Sequence, residues 1–224
     1  MPRGVGGETG WWCPSLDDSG NGTTTLNDLV GTNHCALGSA GSWISNTASG
    51  GTRALASGSV NNFTSQWLLS GTFAISFWAY GIGSYPGALL SNRGLGWIVY
   101  PFNGTNNGVV LYGATTANEA APASTRAGWH HFLLQQISGT GMSVYVDGVS
   151  VVTATEMTLG NSDVGLMYYI YGSNNYFSGR FDDLRFFSGV SLASDIRLNL
   201  ASRRAFQPLS VSKPSHPMYQ QVIG

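Results

Sequence analysis

Charged residues are scarce in this chain of 224 amino acids. Only 9% of the residues are Asp, Glu, Lys or Arg, against about 25% in a typical soluble protein. The formal net charge is −1, and the basic residues are nine arginines and one lysine, Lys213. Nucleic acids and anionic lipids attract proteins through concentrated basic surface, so the composition predicts no nucleic-acid partner.

Long apolar runs are also absent. No segment reaches the ~18 consecutive apolar residues of a membrane-spanning helix, so we expect no membrane insertion. The N-terminal residues contain no apolar stretch of the kind that forms a secretory signal, and we expect no signal peptide. A lysine-poor composition rich in Ser, Thr and Asn suits an extracellular protein or one displayed on a particle.

The two cysteines, Cys13 and Cys35, leave two interpretations open. They could form a disulfide, or they could be two small buried side chains in strands. Their spacing does not decide between these alternatives.

Glutamate is rare enough to limit the chemistry. The chain has three glutamates, Glu8, Glu119 and Glu156, and none lies in the pattern of a retaining glucanase, which needs two carboxyl groups about 5 Å apart. Asp182 and Asp183 are neighbours, so a regular strand would point them to opposite faces. The sequence also lacks zinc-protease, paired-cysteine and nucleophile-elbow motifs. We therefore expect no enzymatic activity.

Glycine, by contrast, is abundant, with 31 residues. Short β-branched or aromatic runs alternate with Gly, Asn, Ser and Pro, which is typical of strands joined by tight turns. Asp147-Gly148 between two apolar runs predicts a type I′ hairpin turn. The pattern favours an all-β sandwich of two antiparallel sheets, and a length of about 200–250 residues is common for one such domain. The predicted strands cover residues 10–13, 34–37, 53–56, 72–80, 87–91, 96–101, 108–113, 128–137, 142–146, 149–153, 164–171 and 179–187.

Both ends of the chain differ in character from the middle. Residues 1–9 are rich in glycine and predict a flexible N-terminal arm, and residues 204–224 contain three prolines and predict an extended C-terminal arm. The β-sandwich is predicted over residues 10–203. One short helix should follow the last strand, capped by Ser191 or Ser194, with an apolar stripe of Leu192, Ile196, Leu198 and Leu200.

Residues 177–187 read as the last core strand, with one unusual side chain. Counting by twos puts Asp182 on the same face as Leu184 and Phe186. A carboxylate that points into a core is costly unless something satisfies it. A backbone donor, an arginine or a bound cation could do so, or the residue could lie at the wet end of the strand.

Four motifs in order resemble the laminin-G-like, or concanavalin A-like, jelly-roll superfamily across about residues 10–203. The motifs lie at residues 11–24, 73–78, 129–148 and 177–187, and they read WWCPSLDDSGNGTT, FAISFW, WHHF followed by VYVDG, and FSGRFDDLRFF. The resemblance implies a jelly-roll sandwich. The opening motif is also similar to laminin-G-like proteins found in bacteriophage genomes.

The resemblance further implies a structural calcium site. In several branches of the superfamily the aspartate of the final strand binds calcium with backbone carbonyls near the first strand, and Asp182 stands at that position. Asp17, Asp18 and Asp28 are its possible companions. The alternative is that Asp182 is hydrogen-bonded to backbone N–H groups or paired with arginine. No other cofactor is expected.

The superfamily includes lectins, and exposed aromatic rings can stack on sugars. The candidates are Tyr85, Trp97, Tyr100, Tyr112, Tyr168, Tyr169, Tyr171 and Tyr176. The alternative for each is packing in the core or across strands.

These features lead us to expect a non-catalytic structural or binding sandwich displayed on a particle. We expect a bacteriophage virion component, either a capsid decoration or a tail-associated protein, which could attach to surface glycans. Its arms, residues 1–9 and 204–224, would dock on other virion or surface proteins in an oligomer. The alternative is an extracellular carbohydrate-binding or adhesion module of a larger protein.

Overall fold

A computed structural model describes most of the chain. The described residues are 5–17, 20–38, 42–45, 53–56, 61–63, 69–81, 87–92, 98–103, 108–113, 116–120, 129–156, 164–169 and 175–201. In this part of the chain the regular secondary structure consists of strands and one short helix.

The strands are numbered in chain order. They are β1 (Glu8–Trp12), β2 (Thr25–Leu26), β3 (Cys35–Leu37), β4 (Ser42–Ser45), β5 (Arg53–Ala56), β6 (Asn61–Phe63), β7 (Phe73–Gly81), β8 (Leu90–Asn92), β9 (Ile98–Asn103), β10 (Gly108–Gly113), β11 (Thr116–Ala120), β12 (His130–Ile137), β13 (Gly141–Val146), β14 (Val149–Ala154), β15 (Val164–Leu166), β16 (Tyr168–Tyr169), β17 (Asn175–Tyr176) and β18 (Gly179–Ser188). The single helix of the described residues is α1 (Ser194–Ala201).

Two antiparallel sheets form the sandwich. Sheet A has the order β14-β13-β12-β7-β18-β5-β4, and β1 also pairs with β18. Sheet B has the order β11-β10-β9-β8-β15-β6-β3-β2, and β16 and β17 form a small separate ribbon. The predicted all-β antiparallel jelly-roll sandwich is confirmed.

The main core lies between the two sheets. Alternate residues of β7 enter it, namely Phe73, Ile75, Phe77 and Ala79, as the period of two along a strand requires. The rings of Phe77 and Phe132 stack with centroids 5.3 Å apart. Leu26, Cys35, Leu37, Leu90 and Leu166 are among the side chains that sheet B contributes.

The Asp147-Gly148 turn joins β13 to β14 as predicted. Both residues have positive φ, 50° at Asp147 and 81° at Gly148, which is the combination that a type I′ turn requires. The Asp147 carboxylate also accepts hydrogen bonds from the backbone N–H of His131 and from the ring of His130. These contacts tie the turn to the start of β12.

Helix α1 packs on the outer face of sheet A. Leu192, just before the helix, and Leu200 are buried there with Leu133 and Phe187. Leu198 is 57% exposed, so its predicted place in the apolar stripe is wrong. Leu198 lies on the solvent side of a helix whose other side meets the sheet. In the described part of the chain no helix has the length and apolar character needed to cross a bilayer.

The N-terminal boundary of the sandwich differs from the prediction. Strand β1 begins at Glu8, and Val5 packs against the cluster that Leu192 and Leu200 form with Leu133 and Phe187 on sheet A. The expected flexible arm over residues 1–9 therefore overlaps the folded domain, because Glu8 forms a buried ion pair with Arg185. The expected C-terminal arm, residues 204–224, lies outside the described residues.

Cys13 and Cys35 are both buried free thiols. Burial raises the pKa of each thiol, and the Asp182 and Asp183 carboxylates raise that of Cys13 further. The two cysteines are therefore small buried side chains that do not form a disulfide.

Candidate functional site

Strand β18 contains a bulge that redirects its charged side chains. Asp182 lies opposite Trp78, and Arg185 lies opposite Ser76. Between these two pairs β18 contains one more residue than β7, which is a β-bulge. Asp183 takes a positive φ of 54°. Phe181 and Leu184 both face the main core, and Asp182 points away from it. The prediction that Asp182 shares a face with Leu184 and Phe186 is therefore wrong, because a bulge breaks the period of two.

The Asp182 carboxylate is buried and hydrogen-bonded to the N-terminal segment. Its Oδ2 atom lies 2.7 Å from the Ser15 hydroxyl, and its Oδ1 atom accepts the Asp183 N–H at 3.0 Å and the Ser15 N–H at 3.4 Å. The Cys13 thiol lies 3.5 Å from the same Oδ1. Backbone and hydroxyl donors thus offset the cost of burying this carboxylate.

These surroundings do not fit a calcium ion. Calcium needs several oxygen ligands with free lone pairs, whereas the Asp182 oxygens face hydrogen-bond donors. Asp17 accepts both amide groups of Asn27, and Asp28 accepts backbone N–H groups of the N-terminal loop. Asp18 lies outside the described residues, among which no three His, Cys, Asp or Glu side chains are grouped to hold a metal. The calcium site that the resemblance implies at Asp182 is therefore an untested expectation, and these contacts argue against it.

Thermal unfolding with and without calcium tests that prediction. We expect the same melting temperature in excess calcium chloride and in excess EDTA, because hydrogen bonds already satisfy Asp182. Asp182→Ala should lower the melting temperature equally in both buffers. A calcium-dependent rise that Asp182→Ala abolishes would instead establish the metal site.

Arg185 lies at the centre of a fully buried ion network. Its Nε and Nη2 atoms donate to the two carboxylate oxygens of Asp183 at 2.9 and 3.1 Å, and its Nη1 atom donates to Glu8 at 3.1 Å. The Trp11 indole N–H donates to Asp183 at 2.7 Å, and the guanidinium lies 4.4 Å from the Trp11 ring centroid. The network fixes β1 to β18, and sequence reasoning missed it because Glu8 and Arg185 are 177 residues apart.

Ser76 and His131 form a second buried polar pair on the outer face of sheet A. The Ser76 hydroxyl lies 2.9 Å from His131 Nε2, and both side chains are buried. The pKa of His131 is lowered to about 3, chiefly by burial. The negative charge of Asp147 raises this pKa, and the positive charge of Arg185 lowers it further. A histidine with so low a pKa is a poor base, and substrate cannot reach a buried hydroxyl, so the pair is suited to packing rather than to nucleophilic catalysis.

The neutral His131 should make the protein sensitive to acid. In the unfolded chain a histidine has a pKa of about 6.5, so between pH 6.5 and 3 the unfolded state binds a proton that the folded state does not. The free energy of unfolding should fall with decreasing pH in this range, by up to ~1.4 kcal/mol per pH unit from this residue. Urea unfolding at several pH values measures it. An unchanged slope in His131→Gln would contradict the assignment.

A row of aromatic and basic side chains crosses the outer face of sheet A. Arg180 on β18 lies opposite Tyr80 on β7, and His130 lies opposite Ala79, which brings Trp129 next to Tyr80. The ring centroids of Tyr80 and Trp129 are 5.9 Å apart, and the Arg180 guanidinium carbon lies 5.4 Å from the Tyr80 ring centroid. All three side chains are partly exposed. We call Trp129, Tyr80 and Arg180 the aromatic row.

Trp129 and Tyr80 lie beside closely packed neighbours. Trp129 packs, as Leu16 and Leu29 do, against the small buried cluster of Trp11, Cys13 and Trp78. A Cβ on Gly179 would lie 2.3 Å from the Tyr80 carbonyl oxygen, so only glycine lets β18 approach β7 this closely beside the row. Gly179 therefore sets the spacing of β18 and β7 beside Tyr80.

Sequence reasoning missed the aromatic row and proposed other aromatics. Tyr85, Trp97 and Tyr171 lie outside the described residues. The remaining candidates belong to strands whose backbone is described, and they are Tyr100, Tyr112, Tyr168, Tyr169 and Tyr176. The available signal was alternation in FAISFWAY, which puts Tyr80 on the face opposite Phe77 and Ala79.

A sequence model of the concanavalin A-like lectin/glucanases superfamily matches residues 49–197. The chain belongs to this superfamily. The match contains β7, β12 and β18, the strands that carry or adjoin the aromatic row. A comparison with curated protein sequences finds no match.

Solved structures of the superfamily fold resemble this chain at low sequence identity. Domain 4 of an extracellular GH43 arabinanase from Geobacillus stearothermophilus, in complex with arabinotriose, has a TM-score of 0.64 at 14% identity over 87% of this chain and 98% of that one. Trypanosoma rangeli sialidase has a TM-score of 0.61 at 16% identity over 91% of this chain and 34% of that one. A botulinum neurotoxin serotype D ligand binding domain with N-acetylneuraminic acid has a TM-score of 0.60 at 13% identity over 88% and 51%. At such identities these likenesses establish the fold.

Proposed function

We propose that this protein is a non-catalytic carbohydrate-binding module and that the aromatic row is its binding surface. The observation that carries the proposal is a pair of partly exposed rings, Tyr80 on β7 and Trp129 directly before β12, whose centroids lie 5.9 Å apart. An aromatic ring offers an apolar face to the C–H groups of a sugar and loses little conformational entropy on binding. The arabinanase domain, which covers nearly the same length of chain, was solved with arabinotriose.

The size of the row suits a short oligosaccharide. Neighbouring strands lie about 4.8 Å apart, so the three strands β12, β7 and β18 present a row about 10 Å long. Tyr80 and Arg180 stand on strand backbones of one sheet, which are more rigid than a loop, and Trp129 directly precedes strand β12. A surface of this kind binds by shape and stacking.

The buried polar groups support a role without catalysis. Ser76 and His131 are both buried, and burial lowers the His131 pKa to about 3. The Asp182 and Asp183 carboxylates are also buried, and both accept hydrogen bonds from the N-terminal segment. Acid–base catalysis needs groups that a substrate can reach, and these four side chains are buried.

Binding to a glycan array, with isothermal titration on the best hit, tests the proposal. We expect Trp129→Ala to weaken binding at least tenfold, because it removes the larger of the two ring faces; a tenfold loss corresponds to about 1.4 kcal/mol. Val149→Ala, a change on an exposed side chain of the β13–β14 hairpin, is the matched control and should bind as the unaltered protein does. Equal binding by both variants would place the sugar elsewhere, and no hit on a broad array would reject the module.

Display on a bacteriophage particle, with docking through residues 1–9 and 204–224, stays a prediction from the sequence. An extracellular setting within a larger protein serves the same binding function. Deleting residues 204–224 tests the docking part, because a docking arm is needed for incorporation into particles. Unchanged incorporation of the shortened chain would reject it.

A further inference from the structure

Arg180 is set apart from the other charged groups in the described part of the chain. The ion pairs there use His130 with Asp147 and Arg185 with Asp183 and Glu8, and none uses Arg180. No hydrogen bond of Arg180 to another described residue is formed either, and its contact is with the Tyr80 ring, 5.4 Å away. Its planar set of five N–H donors is therefore uncommitted among the described residues.

The position of Arg180 adds a reason to expect an anionic ligand. A partly exposed arginine usually pairs with a carboxylate when one is near, and this chain has few charges of either sign. The Asp182 and Asp183 carboxylates of the same strand are buried and hydrogen-bonded to the N-terminal segment instead. Stacking on Tyr80 also keeps the guanidinium ordered, which lowers the entropy cost of ligand binding.

We propose that the aromatic row selects glycans that bear a carboxylate, with Arg180 as the group that recognises it. This inference rests on the proposed sugar-binding function and adds the chemical class of the ligand. The guanidinium fork matches the two oxygens of a carboxylate in a bidentate pair. A sugar stacked on Trp129 and Tyr80 would direct the acidic group of the adjoining unit toward Arg180, since the three side chains follow one another across adjacent strands.

The test uses acidic oligosaccharides with neutral counterparts of the same backbone. Oligogalacturonide is compared with its methyl ester, and sialyllactose with lactose, by isothermal titration at low and high salt. We expect the protein to bind at least one acidic member at least tenfold more tightly than its neutral counterpart. We expect the difference to shrink as salt rises, because screening weakens a partly exposed ion pair.

Two arginine variants separate recognition from general charge. Arg180→Gln should remove the preference, so that the acidic sugar and its neutral counterpart bind with equal affinity, and the melting temperature should stay unchanged. Arg197→Gln is the matched control, because Arg197 also lies over an aromatic ring, that of Tyr145 at 4.8 Å, but on helix α1. It should keep the preference.

The outcomes distinguish this inference from the proposed function. Binding that depends on Trp129 but shows no preference for the acidic sugar, or a preference that survives Arg180→Gln, overturns the role of Arg180 and leaves the sugar-binding module standing. A preference for dextran sulfate over every carboxylated sugar overturns the assignment of a carboxylate. Binding that is absent for every sugar overturns both proposals.

Discussion

Replacing Arg185 with leucine is expected to lower the free energy of unfolding by about 3–5 kcal/mol. The change removes the cation that satisfies Asp183 and Glu8, and both carboxylates would remain buried with their main partner gone. It also removes the contact with the Trp11 ring. Chemical unfolding in urea, followed by tryptophan fluorescence, measures the loss.

The variant has a matched control and a rescue. Arg180→Leu makes the same substitution at a partly exposed position of the same strand, and it should change stability by no more than about 0.5 kcal/mol. Adding Glu8→Gln and Asp183→Asn to Arg185→Leu should restore part of the loss, because the cost lies in the buried charges left unpaired. A cost for Arg185→Leu no larger than that for Arg180→Leu would show that the network does not stabilise the fold.

Trp12→Ala is expected to cost about 3–5 kcal/mol, as truncating a large buried ring in a core does. Trp12 is 1% exposed, and its ring centroid lies 5.0 Å from that of Phe186 in an edge-to-face arrangement. Its indole N–H donates to the Asn33 carbonyl at 2.9 Å. The cavity would open between β1 and the main core. Differential scanning calorimetry and urea unfolding both report the change.

The control for Trp12 is Val149→Ala, because Val149 is 65% exposed. It should change stability by no more than about 0.5 kcal/mol. Trp12→Phe, which keeps an aromatic ring but loses the hydrogen bond, should fall between the two variants. A loss below about 1 kcal/mol for Trp12→Ala would contradict the place of Trp12 in the core.

Much of the fold could be predicted from the sequence, because alternation and turn residues are local signals. The predicted strands at residues 53–56 and 108–113 agree with β5 and β10 residue for residue, and the Asp147-Gly148 turn joins β13 to β14. Strands β4 and β11 were missed. Their sequences, SWIS and TANEA, are short or polar and take their pairing from neighbouring strands rather than from their own propensity.

The candidate site was harder to predict because it depends on pairing between distant segments. Asp182 could be identified from one strand, but its partner Ser15 lies 167 residues away. The bulge puts Asp182 on the face opposite Leu184 and Phe186. A count by twos cannot anticipate an inserted residue. The aromatic row likewise exists only once β12, β7 and β18 are aligned side by side.

The pairing of β1 with β18 also bears on the order in which the molecule assembles. Glu8 lies opposite Phe187, and Trp12 lies opposite Leu184, so β1 cannot complete its pairing until β18 has been synthesised. Contacts between residues so far apart in sequence carry a high cost of loop closure and slow folding. Until β18 emerges from the ribosome, Trp11 and Trp12 stay exposed on an unpaired segment, and during that interval the nascent chain is most open to aggregation.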